Sequence, residues 1–206
     1  MRTEIKTKRG TIKVGPGCNL SGLDLSGVNF SSLKMNLSKI NFRDATLYKA
    51  RFAYTNLIHA DFEGANLEDA NFYEADLRNT EFKDAVLYNA NFENASLVYA
   101  NLGGATLDNA CFENANLRHA SLPEPGGSIS NADGIIDAGY DSRYYRFLGV
   151  RTRYGLYIVA GCRYFFNIEK ANAHWANRHM SDPELHNECL DKVKFIKDKA
   201  IKRGWI

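Results

Sequence analysis

The chain has little of what marks an enzyme, a metalloprotein or a secreted protein. Its four cysteines, Cys18, Cys111, Cys162 and Cys189, are widely spaced and form no Cys-x-x-Cys pair, which argues against both a disulfide framework and a zinc ribbon. Its apolar runs are far too short to cross a bilayer, and Met1-Arg2-Thr3-Glu4-Ile5 lacks the apolar stretch of a secretory signal. The expectation is a cytoplasmic protein with reduced thiols and no membrane contact. Gly-rich phosphate loops, nucleophile elbows and His-Glu-x-x-His are all missing. His174, His179, His186 and Cys189 match no ligand spacing. The carboxylates of the middle segment are many and alike, so no pair is singled out for acid–base work. Neither catalysis nor a cofactor or metal is expected.

What is present is a chain of 206 residues, 45% apolar, long enough for one large or two small domains with a buried core. Its net charge of +2 hides an uneven distribution. Residues 1–35 carry 6 basic and 2 acidic groups, residues 36–122 carry 7 and 12, and residues 123–206 carry 13 and 10. The middle is acidic and both ends are basic.

The middle is also periodic. Leucine or phenylalanine stands at every fifth position from Leu37 through Phe42, Leu47 and Phe52 to Leu117 and Leu122, 18 positions without exception. Two residues before each stands a residue that is alanine in 14 of the 18 cases, the others being Met35, Ile40, Thr55 and Thr80. The residue between is usually Asn, Asp, Ser or Thr, as in Ala65-Asn66-Leu67. Five residues advance an α-helix by about 140°, so the apolar stripe would spiral around it. In a straight strand, alternate Leu/Phe side chains would fall on opposite faces. The chain must instead turn at every repeat, with Ala and Leu/Phe inward and three positions outward.

These residues resemble the pentapeptide-repeat family, whose fold is a right-handed four-sided β-helix with four repeats per coil. The resemblance implies a coil every 20 residues. The strict Leu/Phe alternation from Leu37 to Leu97 agrees with it: Phe42, Phe62 and Phe82 should stack on one side, and Phe52, Phe72, Phe92 and Phe112 on the opposite one, about 4.8 Å apart. Alanine is expected where a larger group would overfill a thin core. The register also runs through Leu20, Leu25 and Phe30, then lengthens to seven residues before Leu37, where a bulge or small loop is expected. Residues 1–17 read as an N-terminal cap over the exposed coil edge, residues 18–122 as the β-helix.

The outward residues sort by side. The Phe62 side gathers Asp44, Asp61, Glu63, Glu81 and Asp84, and the Leu57 side carries Ile58, His59, Arg78, Val98, Tyr99, Arg118 and His119. Some members of the family resemble duplex DNA in shape and acidity and bind type II topoisomerases, which makes Asp61, Glu63, Glu81 and Asp84 candidate partner contacts. Ile58, Val98 and Tyr99 are candidates for an apolar contact patch.

Residues 123–139, opening with Pro123-Glu124-Pro125-Gly126-Gly127, read as a linker. Residues 140–206 read as a small α+β module. Strands are expected over 143–150 and 156–160, a short helix from Asn167 to Trp175, and a second helix from Ser181-Asp182-Pro183-Glu184 to about Lys202 with Leu185, Cys189, Val193 and Ile196 on one face. The run from Gly155 to Phe165, followed by Ala171 and His174-Trp175, resembles a short C-terminal module of small phage and prophage proteins. Arg143, Arg146, Arg151 and Arg153 lie among aromatic residues, an arrangement that fits either a nucleic-acid platform or a sheet with a wet basic face. Three classes of function stand open. The first is a phage-encoded binding protein that engages or inhibits a host protein, with DNA mimicry as its sharper form. The second is a nucleic-acid or nucleotide binder acting through the C-terminal module, and the third a structural, homo-oligomeric assembly component.

Overall fold

The computed structural model describes residues 3–7, 10–31, 36–121, 134–140, 142, 146–152, 155–160, 163–165, 168–176 and 183–206. The chain divides into two units, Met1–Asp133 and Gly134–Ile206.

In the first unit, β1 (Thr3–Thr7) and β2 (Gly10–Val14) form an antiparallel hairpin. Ile5 and Val14 are buried. From Cys18 onward the chain coils, and each outward-leading residue bridges in parallel to the residue 20 positions later, as Asn36 to Asn56 and Asn101 to Ser121. The first coil is larger: Asn19, Asp24 and Asn29 bridge to Asn41, Thr46 and Arg51, a step of 22. The two extra residues fall where the Leu/Phe spacing lengthens to seven. The bulge itself was expected over 31–37, of which 32–35 lie outside the described residues.

Residues 61–65 show why five residues suffice for one side. Asp61 N–H donates to Ile40 O in the preceding coil (2.9 Å), and Phe62 and Gly64 donate to Glu81 O (2.8 Å) and Lys83 O (2.9 Å) in the next. Ala65 N–H closes the turn on Phe62 O at 3.0 Å. Glu63 N–H, which points outward, is taken by Asp61 Oδ1 at 3.0 Å. All five donors are thereby satisfied, as buried or half-buried backbone requires. The same local bond recurs from Asn41 to Arg43, Asn66 to Glu68, Asn71 to Tyr73 and Asn91 to Glu93. This is the reason for Asn or Asp before so many of the core residues.

Each turn also places its third residue in the left-handed region. This holds for Asp44, His59, Asp69, Asn79, Tyr99 and His119, with φ between 56° and 60°, and for Gly64 and Gly104. A type II turn needs positive φ at this position. Inside, the phenylalanines form two columns. Phe42–Phe62 and Phe62–Phe82 stack with centroids 5.0 and 5.1 Å apart; Phe52–Phe72, Phe72–Phe92 and Phe92–Phe112 are each at 5.0 Å. Phe30 extends the second column, and the columns meet edge-on at 5.6–5.8 Å. All these rings are fully buried. The two buried threonines that replace alanine satisfy their hydroxyls internally, Thr80 Oγ1 on Leu57 O at 3.0 Å and Thr55 Oγ1 on Phe52 O. Ile40 fits because its column neighbours are Cys18 and Ala60.

The second unit is an antiparallel sheet in the order β3 (Ile135–Tyr140), β4 (Arg146–Thr152), β5 (Gly155–Ala160) and β6 (Arg163–Phe165), with α1 (Ile168–Ala176) and α2 (Pro183–Lys202). Strand β3 begins inside the stretch read as a linker. Its six residues include only two β-branched ones, a glycine, and a register irregularity between Asp137 and Tyr140, so its alternation is weak. The core joins Ile136, Phe147, Leu156, Ile158, Ile168, Trp175, Cys189, Val193 and Ile196. The expected apolar face of α2 is therefore the packed one. Gly149 permits that packing, since a Cβ there would lie 2.4 Å from Ile196 Cγ2. Helix α2 ends on Gly204 (φ 66°), with Trp205 N–H donating to Ala200 O and Gly204 N–H to Ile201 O, the Schellman arrangement.

Two substitutions test this packing. Ala75→Leu, in the middle of the solenoid, should cost about 3 kcal/mol or more, at the upper end of overpacking penalties, measured by urea unfolding. Gly149→Ala should destabilise the second unit by about 1–3 kcal/mol; hydrogen exchange resolved by unit should show the loss in residues 134–206 and leave 36–121 protected.

Candidate functional site

With the interior filled by Ala, Leu and Phe, chemistry toward other molecules is left to the three outward residues of each repeat. Consecutive sides meet at the left-handed corners, so the Leu57 side and the Phe62 side share the edge that carries His59, Asn79, Tyr99 and His119.

The Phe62 side brings together Asp61, Glu63, Glu81 and Asp84 as expected, but it does not leave them as bare carboxylates. Arg43 Nη1 reaches Glu63 Oε2 at 2.5 Å and Asp61 Oδ2 at 3.3 Å. The hydrogen bond that Arg43 donates to Glu63, then the one it donates to Asp61 and the charge of Asp61, hold the guanidinium charged above its ordinary range. Lys83 Nζ lies 3.7 Å from Asp84 Oδ2, and Asn101 Nδ2 donates to Glu81 Oε2 at 2.7 Å. Two glycines complete this side. A Cβ on Gly64 would lie 2.4 Å from Asp44 Oδ1, and one on Gly104 would lie 2.0 Å from Asp84 Oδ1. The carboxylates of Asp44 and Asp84 thus lie over the next coil along the corner.

On the Leu57 side, Ile58 and Val98 are half-buried and stand two coils apart with Arg78 between them, so they form no continuous apolar patch. Arg78 grips Asp76 of its own repeat through Nε–Oδ1 at 2.8 Å and Nη2–Oδ2 at 2.6 Å. Tyr99 is 58% exposed, and its ring stacks on His119 with centroids 4.8 Å apart and planes 12° apart. Arg118 Nε donates to His119 Nε2 at 3.2 Å. The pairing of Tyr99 with His119 was legible only in hindsight: both stand two residues after a core leucine, one coil apart.

Of the four arginines proposed for nucleic acid, Arg143 and Arg153 lie outside the described residues and Arg146 is described by its backbone alone. Arg151 is exposed; its guanidinium lies 5.8 Å from the Trp205 ring, which also carries Arg203 at 5.2 Å. Arg203 further donates to Ile135 O at 2.9 Å. An open groove of about 680 Å³ lies between β3 and α2, lined by Ala138, Glu184, Asn187, Glu188, Asp191, Lys192 and Phe195. Of the residues considered for a metal, Cys189 is buried in the core and His174 stands on α1. His179 is outside the described residues. Among the described residues no helix is long and apolar enough to cross a membrane.

Comparison with known proteins gave the following matches. No curated protein matches the chain in sequence. Among solved structures, the pentapeptide repeat protein Rfr23 from the cyanobacterium Cyanothece 51142 is 27% identical, covering 57% of this chain and 88% of its own, with a TM-score of 0.41. A pentapeptide repeat protein from the Arabidopsis thaliana thylakoid lumen is 32% identical over 55% of this chain and 66% of its own, TM-score 0.33. A trypsin-treated form of QnrB1, a plasmid-mediated fluoroquinolone resistance protein, is 19% identical over 62% and 64%, TM-score 0.43. The model of the pentapeptide repeat region matches residues 16–102, and that of pentapeptide repeats in 8 copies matches residues 85–122. Together these matches take in more than half of the chain and coincide with the coils, and the protein belongs to the pentapeptide-repeat family.

Proposed function

We propose that this protein is a non-enzymatic binding protein that offers the sides of its rod to a host protein, and that it is encoded by a phage or mobile element. The observation that carries the binding role is the division of each repeat: two positions are consumed by a filled core, and the outward positions are free to vary and are sorted by charge from side to side. Support for the mobile origin is the resemblance of the run from Gly155 to Phe165 to modules of phage proteins.

DNA mimicry is the sharper form of this reading, and the Phe62 side is its surface. Arg43 takes up Asp61 and Glu63 and Lys83 lies beside Asp84, so the mimicry would draw chiefly on Glu81 and on Asp44 and Asp84, which repeat along the corner. The double variant Glu81→Lys/Asp84→Lys tests it, because Lys39 and Lys49 already occupy positions equivalent to Asp84. The wild-type protein should compete with duplex DNA for a type II topoisomerase, and the double variant should compete at least about tenfold more weakly, with the gap shrinking as salt is raised. Equal competition by the two proteins removes the mimicry and leaves the binding role in place.

A second reading, nucleic-acid binding by the C-terminal unit, draws on Arg151 and Arg203 beside Trp205. An Arg151→Glu variant should then lose affinity for single-stranded RNA with a shallower salt dependence; an unchanged affinity and salt slope sinks that reading.

A further inference from the structure

The acidity of the rod is not shared by all four sides. On the Phe62 side Asp44, Asp61, Glu63, Glu81 and Asp84 oppose Arg43 and Lys83, a net of −3. The Leu67 side, with Asp24, Glu68, Asp69 and Asp108 against Lys49, carries −3, and the Phe72 side, with Glu74, Glu93 and Glu113 against Arg51, carries −2. The Leu57 side alone is basic: Lys39, Arg78 and Arg118 face only Asp76, a net of +2. Among the described residues, neither Lys39 nor Arg118 lies within ion-pair distance of a carboxylate, whereas Lys49, Arg43, Arg78 and Lys83 each do.

A second observation falls on the same side. Of the corner residues from Lys39 to His119, ten are Gly, Asn or Asp, the residues that tolerate positive φ. Tyr99 holds φ 60° with a bulky side chain, at a cost that Asn at the same corner would avoid, as Asn79 does one coil earlier. No core packing offsets that cost, because the ring is 58% exposed and rests on His119. A strained, exposed aromatic stacked on His119, whose Nε2 accepts from Arg118, is the composition of an interface anchor, in which tyrosine and arginine supply most of the binding energy.

We infer that the Leu57 side is a docking strip for a protein partner bearing surface carboxylates, with Tyr99 as its aromatic anchor and Arg118 and Lys39 as its cationic contacts. Charge complementarity selects that partner over nucleic acid. The sides that flank the strip carry −3 and −2, and a duplex, with a charge about every 1.7 Å, would overhang them within a Debye length of about 8 Å. A carboxylate patch on a protein can be confined to the width of the strip. The inference rests on the reading of the rod as a protein-binding surface but places the contact on the side opposite in charge to the proposed DNA mimic.

The test uses the full chain and a fluorescein-labelled peptide of repeating Glu-Glu-Leu, with a single-stranded oligonucleotide of equal charge as the competing class, read by fluorescence anisotropy at low and physiological salt. The peptide should bind, Arg118→Glu should weaken it by about tenfold, and Glu93→Lys on the flanking Phe72 side should leave it unchanged or tighten it. Tyr99→Asn should weaken binding about fivefold while raising the thermal midpoint, the signature of strain kept for contact. Failure of the peptide to bind at low salt, indifference to Arg118→Glu or to Tyr99→Asn, or tighter binding of the oligonucleotide overturns the inference. These outcomes are independent of the topoisomerase competition by Glu81→Lys/Asp84→Lys, so either reading can fail while the other stands.

Discussion

Three of the five backbone donors of a repeat are satisfied only by a neighbouring coil, and this dependence governs everything else in the first unit. A single coil has no partners for Phe62, Gly64 or Asp61, so one repeat gains little until the next is stacked on it. Stacking then dictates the interior. Adjacent coils sit one ladder spacing apart, so side chains at equivalent positions must tolerate a copy of themselves directly above and below. Phenylalanine does so by parallel stacking at 5.0 Å, leucine by branching, and alanine by being small. The outward Asx bond and the left-handed corner are the remaining geometric demands, and both are met without a tertiary partner.

This locality explains how much was legible. The period and the longer first step could be read from residues 18–122, because each inward position reports its environment through its own identity; the four sides came from the resemblance, and the Leu/Phe alternation that gives the two phenylalanine columns agreed with them. The α2 face of Leu185, Cys189, Val193 and Ile196 was equally readable from helical spacing. Strand β3 was not: Asp137, Ala138 and Gly139 give it no alternation of its own, and its register with β4 is irregular there. The role of Gly149 was hidden because the methyl group it avoids belongs to Ile196, distant in sequence.

The outer surface was legible as composition but not as electrostatics. Assigning Asp61, Glu63, Glu81 and Asp84 to one side required only counting by 20. That Arg43, two residues from Asn41, would straddle Asp61 and Glu63 one coil on required side-chain reach. The same applies to the Tyr99–His119 pair, where two corner residues that look like isolated turn positions become one aromatic surface. Ile58 and Val98, conversely, share a column without touching, so similarity of side did not amount to a patch.

The 22-residue first coil shows that the stack is indifferent to what happens between bridges. Asn29 still pairs with Arg51 and Phe30 still stacks on Phe52 at 4.7 Å although two additional residues lie between one level and the next. Insertions can therefore be absorbed between bridges while the ladder above and below keeps its phase. In evolutionary terms the architecture separates the inheritance of its scaffold from the growth of its surface: a lineage can acquire or shed a projecting loop in one event without any compensating change in the core.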